Sequence, residues 1–413
     1  MPERLIINHV GVIAHNKILE DYSVVCENGR IIDLLSSNSP VKSTGKTAGK
    51  QEQVIDANGG YLVPGFIDLH IHGLLEKLVD NGPDDLSAIC RELPRFGVTG
   101  FLPSITPKTN TPNTNTPNAN ECVNLANLAQ TAARGAEILG FFLEGHFLKL
   151  TGAIRGMTND YSPDRVENLK KAAGDKTCVF GVSPEIQDIL SLLPLMTENS
   201  HKQIPAFITH TMADYEQTIN AIKAGAKHAT HFYDVFPYPG EQEPGVRGCS
   251  AVEAVMASPE VSVDFILDGE HVHPGVVKMA LACKGPEMVC LITDANLSAG
   301  MEPGVYKGIG GTAVTMEYKG GPAREFHGEG KKPGGLTGSS LTMDLAFKNA
   351  VKILGLSLPE ATALVSANPA RVLNLEHERG RIEKDFRADF SIMDKDLNIV
   401  SCYTGGKCVY TVS

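Results

Sequence analysis

Five apolar runs in this chain close on a histidine, a glutamate or an aspartate, and that recurrence limits the folds open to it more than any other feature. Residues 61–69 lead to His70 and His72, 136–143 to Glu144, 204–209 to His210, 226–230 to His231 and 287–293 to Asp294. Between these runs helical spacings recur, so strand and helix patterns alternate. Uninterrupted apolar strands alternating with helices mark βα units around a parallel sheet. In a (β/α)8 barrel the C-terminal strand ends converge on one mouth, where catalytic groups sit. The expected fold class is therefore α/β, a (β/α)8 TIM-type barrel with six ligand-type side chains at its mouth.

His70 and His72 are two residues apart, so on a strand they present two imidazoles to one face. Neutral imidazole is the commonest protein ligand for zinc-like metals, and the pair reads as half of a metal site. A bare HxH is equally the mark of two ordinary polar residues where a strand meets a loop. Repetition of the same placement at five strand ends is what turns the reading towards a metal centre. His9, His15, His201, His228, His273, His327 and His377 read as structural or solvated. His146, two residues from Glu144 and able to share its face, stays open between touching the site and lying apart from it.

The flanking segments have a different character. Residues 5–13 and 22–35 look like short strands, with Asn28-Gly29 as a hairpin signal. The polar stretch 36–53 reads as a surface loop. Residues 86–96 have helical spacing and 97–105 form a strand. The Thr/Pro/Asn tract 106–120 reads as a loop, since Pro and Asn deny it regular structure. Near the end, 358–366 is a helix, and 380–385, 388–393 and 400–412 are short strands. These complete the β region begun at the N-terminus. The expected organisation is a small discontinuous β-sandwich domain, 1–59 with 370–413, into which the barrel, 60–369, is inserted.

With 413 residues the chain is long enough for a barrel plus an accessory domain. Its formal charge of −11 argues against a nucleic-acid or membrane-surface partner, because both need a basic face. An anionic small substrate needs only a local basic pocket. The nine cysteines show no CxxC pairing, and an odd number in a large chain reads as reduced thiols. The opening Met-Pro-Glu-Arg-Leu-Ile-Ile has no signal-peptide pattern, and no apolar run is long enough to span a bilayer. A cytoplasmic enzyme is the expectation.

With those residues in hand, the chain resembles the amidohydrolase superfamily, and within it the N-acetylglucosamine-6-phosphate deacetylase family. The resemblance is carried by PGFIDLHIHG (64–73), LEG (143–145), AGAKHATHFYDVFPY (224–238), EPGVRG (243–248), DGEHVHP (268–274), LITDA (291–295) and LTGSSLTMD (336–344). It implies that Glu144, His210 and His231 bind a divalent metal, and that His70 and His72 match the HxH of members with a second ion. Glu144 is then the bridge, and Asp294 the catalytic aspartate within the metal set. Two ions per subunit are implied, with zinc first and iron, manganese or cobalt as alternatives. Substrate contacts are implied at Ala153, Ile154, Asp234, Val235, Gln242, Asp268 to His271, Leu336, Thr337 and Gly338. A homodimer is implied as well, as is a small-molecule N-acetyl amino sugar as partner, phosphorylated or not.

The chain departs from that family at several contacts. His146 replaces a proline, and Ile154 a substrate-contacting histidine. Asp234-Val235 replaces Asn-Ala, and Gln242 replaces the arginine that grips the sugar phosphate. Gln offers neither the charge nor the bidentate fork of Arg. Arg247 and Arg155 are candidate anion contacts in its stead, and each is equally well read as a surface residue. The expected chemistry is metal-assisted hydrolysis of an N-acetyl amide, with Asp294 as general base and then general acid. Two other readings compete. One is a different amidohydrolase, such as an N-acyl-amino-acid deacylase or cyclic amidase. The other is a barrel that kept the fold and lost catalysis.

Overall fold

The computed structural model describes residues 4–36, 52–107, 118–132, 134–154, 157–158, 160–199, 202–307 and 313–412. Eight parallel strands form the barrel: Phe66–Ile71, Val98–Ile105, Phe141–Phe147, Cys178–Val182, Phe207–Ile208, His228–Ala229, Ser262–Ile266 and Val289–Ile292. They pair in that order, and a parallel bridge between Ile71 and Ala295 closes the ring. Every residue of the eight strands is buried, as a parallel sheet covered on both faces requires. Capping sets where the surrounding helices begin. Ser162 caps Pro163–Ala173 with a proline at its first position, and Asp214 and Ser250 close capping boxes on Tyr215–Ala224 and Ala251–Ala257.

The terminal β domain draws on both ends of the chain. Its strands run Lys407–Thr411, Ile399–Thr404, Phe390–Met393, Tyr61–Pro64, Arg4–Ile13, Ile18–Glu27 and Arg30–Ser36, and Glu52–Asp56 pairs with the start of Arg4–Ile13. The sheet therefore forks along its fifth strand, and it has its own core around Leu5, Ile7, Val24, Phe390 and Tyr403. Asn28 and Gly29 both have positive φ, 50° and 78°, the hairpin turn their sequence announces. Tyr61–Pro64 pairs with Arg4–Ile13 and Phe390–Met393, so in hydrogen-bonding terms the chain passes from sheet to barrel at Gly65.

Several expected elements differ in detail. The 86–96 helix is Pro83–Glu92 followed by a 3-10 turn, Leu93–Phe96, where Pro94 supplies no amide. The 136–143 strand divides into Glu137–Ile138 and Phe141–Phe147, which places Glu144 inside a strand and not at its end. Of the 36–53 loop, Ser36 and 52–53 lie in strands, and 37–51 fall outside the described residues. Of the 106–120 loop, 108–117 also fall outside them, while Asn118 opens the helix Asn118–Ala129. Residues 380–385 form no strand; the segment ends in a turn at Asp385, whose φ is 71° and whose amide donates to the Ile31 carbonyl at 2.8 Å. An antiparallel meander was not expected: Gly304–Lys307, Ala313–Met316, Pro322–Phe326 and Leu336–Ser339 follow the eighth strand. Cys26, Cys90, Cys178, Cys249, Cys283, Cys290, Cys402 and Cys408 are free thiols.

A charge cluster joins the two units. Arg379 donates to Asp389 at 2.7 Å and to Glu137 at 2.5 Å, and Arg387 reaches the same two carboxylates at 3.1 and 2.9 Å. Arg379 and Asp389 are almost fully buried. Removing one partner of such a pair strands the other charge away from water. Arg379→Ala is expected to lower the unfolding free energy by about 3–5 kcal/mol, read as a lower denaturant midpoint.

Candidate active site

All six expected ligand-type side chains meet at the mouth. Glu144 is the centre of the group. Its Oε2 lies 2.9 Å from His72 Nε2 and 3.3 Å from His70 Nε2, and its Oε1 lies 3.3 Å from both His210 Nε2 and His231 Nε2. Asp294 Oδ1 stands 3.5 Å from the Nε2 atoms of His70 and His72. One carboxylate thus faces two pairs of imidazoles, one pair per oxygen. Among the described residues the sets His70, His72, Asp294 and His70, Glu144, His231 are compact enough to hold an ion.

The residues present fit a divalent cation. His70 Nε2 and His72 Nε2 face each other at 3.1 Å, and a single proton can serve only one such contact. Asp294 Oδ1 is buried and has no hydrogen-bond partner. Burial alone would raise the Glu144 pKa, yet the His70 charge and hydrogen bonds from His210, His231 and His70 hold it well below the usual carboxylate range. Burial opposes protonation of His72 and His231. The hydrogen bond and charge of Glu144 outweigh it, pushing them up to about 9 and about 10. The pocket therefore calls for positive charge around Glu144, and imidazole and carboxylate ligands suit a borderline divalent metal.

Backbone strain and buried carboxylates hold the ligands in place. His210, His231 and Asp294 adopt φ of 49°, 33° and 45°, each just beyond a short strand. Left-handed non-glycine residues cost about 1–3 kcal/mol each and persist where their surroundings over-determine them. Ser183 Oγ donates to the His210 carbonyl at 2.9 Å, and Asp264 Oδ1 accepts from the His231 amide at 2.5 Å. Asp264 Oδ2 also meets His228 Nε2 at 2.8 Å, so buried His228 is structural, as expected. Asp68 accepts from Thr293 Oγ1 at 2.6 Å, and Ser339 N donates to the Asp294 carbonyl at 2.8 Å. The sequence reading missed Asp68, Asp264, Ser183 and Ser339. The signal was present for the first two, each a lone carboxylate inside an apolar strand.

Comparison with known proteins agrees with this geometry. The amidohydrolase family profile matches residues 61–412. The chain belongs to the amidohydrolase family. It is 30% identical to the N-acetylglucosamine-6-phosphate deacetylase of Lysinibacillus sphaericus, over 86% of both chains. It is 29% identical to the N-acetylgalactosamine-6-phosphate deacetylase of Escherichia coli O157:H7, over 86% of this chain and 89% of that one. Among solved structures it is similar to the N-acetylglucosamine-6-phosphate deacetylase of Thermotoga maritima, with 25% identity and a TM-score of 0.75, covering 98% of this chain and 100% of that one. As an amidohydrolase it is a hydrolase acting on an amide carbon–nitrogen bond.

Around this amidohydrolase centre the expected substrate contacts divide. Asp268 Oδ2 meets His271 Nδ1 at 2.6 Å, while His271 Nε2 is buried and has no hydrogen-bond partner. Leu336, Thr337 and Gly338 lie in the last meander strand, where a Cβ on Gly338 would fall 2.7 Å from the Asp294 carbonyl. Asp234 and Val235 follow His231, and Thr211 N donates to the Val235 carbonyl at 3.2 Å. Ala153 and Ile154 belong to the turn after the third strand, whose Leu150 carbonyl lies 3.0 Å from His210 Nδ1. The Arg247 side chain is 77% exposed, pairs with Glu253 at 3.3 Å and lies over the Tyr238 ring. The Gln242 side chain, Arg155 and His201 lie outside the described residues. His146 is buried, with Nδ1 3.1 Å from the Glu144 carbonyl oxygen. Burial, aided by the Arg165 charge, pushes it down to about 3.

Gly152 packs against the His210 ring directly. It has φ 51°, and a Cβ there would fall 2.7 Å from His210 Cε1 and 3.1 Å from Val235 Cγ2. Gly152→Ala is therefore expected to displace the His210 ring and weaken divalent-ion binding by about tenfold or more, measured as metal retained per chain after dialysis.

Proposed function

We propose that this amidohydrolase removes the acetyl group from an N-acetyl amino sugar, N-acetylglucosamine 6-phosphate or a close relative, giving the free amino sugar and acetate. The observation that carries the reading is the Glu144 carboxylate shared between His70 with His72 and His210 with His231, with Asp294 opposite. The relatives named above, deacetylases of two N-acetyl amino sugar 6-phosphates, support the sugar class.

His70, His72, Glu144, His210, His231 and Asp294 would hold two divalent ions, zinc first, with iron, manganese or cobalt also suited to these ligands. When bound, such an ion lowers the pKa of water towards about 7 and polarises an acyl carbonyl. Asp294, with Oδ1 turned to the centre, takes the proton of the attacking water as general base. It then hands that proton to the amide nitrogen as the C–N bond breaks, so acetate and a free amine leave together. Ala153, Ile154, Asp234, Val235, Gln242, Asp268, His271, Leu336, Thr337 and Gly338 would line the sugar. His271 is oriented by Asp268 and offers its Nε2. A homodimer in the cytoplasm completes the proposal. Among the described residues no helix is long and apolar enough to cross a membrane.

Asp294→Asn is expected to retain its ions and lose about 10²–10⁴-fold in turnover; near-wild-type activity would sink the assignment. Chelation is expected to abolish acetate release and added zinc, manganese or cobalt to restore it. Acetate release from N-acetylglucosamine 6-phosphate, N-acetylgalactosamine 6-phosphate and the two free sugars is the assay that tests the whole reading.

A further inference from the structure

Beneath the mouth a second polar layer crosses the barrel interior, and it ends on an expected metal ligand. Thr230, Asp264 and His228 are all wholly buried. Thr230 follows the sixth strand, its amide donating to the Ile208 carbonyl at 3.1 Å, and Asp264 lies on the seventh. Three groups converge on the Asp264 carboxylate. The His231 amide at 2.5 Å and Thr230 Oγ1 at 3.1 Å meet one oxygen, and His228 Nε2 at 2.8 Å meets the other. His228 is itself fixed, with Nδ1 2.7 Å from Ser262 Oγ and its ring centroid 4.2 Å from that of Phe207. At its upper end the series of contacts reaches His70, whose Nδ1 lies 3.4 Å from Thr230 Oγ1.

The direction of these hydrogen bonds decides which His70 nitrogen carries hydrogen. An ionised carboxylate only accepts, and a hydroxyl has a single proton to give. Thr230 donates to Asp264, so towards His70 its oxygen can only accept, and Nδ1 is the nitrogen that donates. A neutral imidazole with its proton on one nitrogen presents a lone pair on the other. That other nitrogen is His70 Nε2, which lies 3.3 Å from Glu144 Oε2 and 3.5 Å from Asp294 Oδ1, at the centre of the mouth. Packing alone leaves the choice open. The Phe142 ring meets the His70 ring edge-on with centroids 4.7 Å apart, a contact that holds the plane whichever nitrogen bears the proton. His70 is wholly buried, so bulk water does not reach Nδ1 in place of the hydroxyl.

Resting on the reading of this mouth as a metal centre, we propose that Thr230 is a positioning residue. Anchored by Asp264 and, behind it, His228, it holds His70 in the tautomer whose Nε2 lone pair faces the centre. The test is binding of cobalt(II), followed by its visible absorption, to the full-length chain stripped of ions by dialysis against a chelator. Wild type is compared with Thr230→Val, Thr230→Ala and Thr230→Ser. Val keeps the branched shape without the hydroxyl, Ala removes the hydroxyl and adds no methyl, and Ser keeps the hydroxyl. Thr230→Val and Thr230→Ala are each expected to weaken cobalt binding by about ten- to a hundredfold, with Thr230→Ser close to wild type. A dissociation constant is read from the molecules that bind, so it is independent of any misfolded fraction, and either hydroxyl-free variant suffices alone. A hydroxyl that only braces the fold would, on removal, lower the denaturant midpoint of the metal-free chain and leave cobalt affinity where it was. Unchanged affinity in a hydroxyl-free variant, or an equal loss in Thr230→Ser, overturns this inference and leaves the metal-centre reading standing. A wild type that binds no cobalt overturns both.

Discussion

Glu144 could not sit where it does without the four imidazoles around it. A carboxylate almost wholly excluded from water is costly unless charge or hydrogen bonds meet each oxygen. Here each oxygen faces two histidines, and the four histidines come from three different parts of the barrel ring. The same group that makes the centre attractive to cations would be a liability in a barrel lacking any one of its partners. The mouth is therefore a joint solution, with strands one, three, five and six positioned by a single buried charge.

Stability and function pull against each other in the loops that carry these ligands. Short strands such as Phe207–Ile208 and His228–Ala229 leave little ladder to hold the next residue. His210 and His231 are in left-handed conformations that the chain would not choose alone. Hydrogen bonds from Ser183 and to Asp264 offset that strain, so the ligand directions are set one layer below the ligands. Asp264 braces that segment more than once, since it also accepts from Thr230 Oγ1 at 3.1 Å.

Much of this was legible in the sequence because it has a period. Apolar runs that end in His, Glu or Asp place both the barrel and its mouth, and Asn28-Gly29 announces its own turn. The illegible parts lack such a local signal. Glu144 lies within its strand because the strand is interrupted before it, and no pattern distinguishes that from a strand ending at Glu144. The meander after the eighth strand is built from short alternating segments separated by glycine, which read equally well as loop. Nor does any local pattern announce the pairing of Arg247 with Glu253, six residues further along the chain. Asp68 and Asp264 were visible as charges in apolar company, yet their partners are far away in the chain.

The seam of the barrel has a consequence for how the molecule forms. Ile71 bridges Ala295 to close the ring, and the same carbonyl of Ala295 accepts the amides of His72 and Gly73 at 2.9 Å. The Asp294 amide in turn donates to the His70 carbonyl at 3.0 Å. First and last strands thus meet through the very residues whose side chains face the centre. A chain still emerging from the ribosome, with its eighth strand unmade, has two histidines and no aspartate opposite them. Pairing elements so distant in sequence is slow, because loop-closure entropy is lost before the contact rewards it. An ion held across that seam would favour the closed ring over any open form by mass action. The set of His70, His72 and Asp294 exists only once the cylinder has shut, so an ion held there would be coupled to completion of the fold, while His70, Glu144 and His231 are in place one strand pairing earlier.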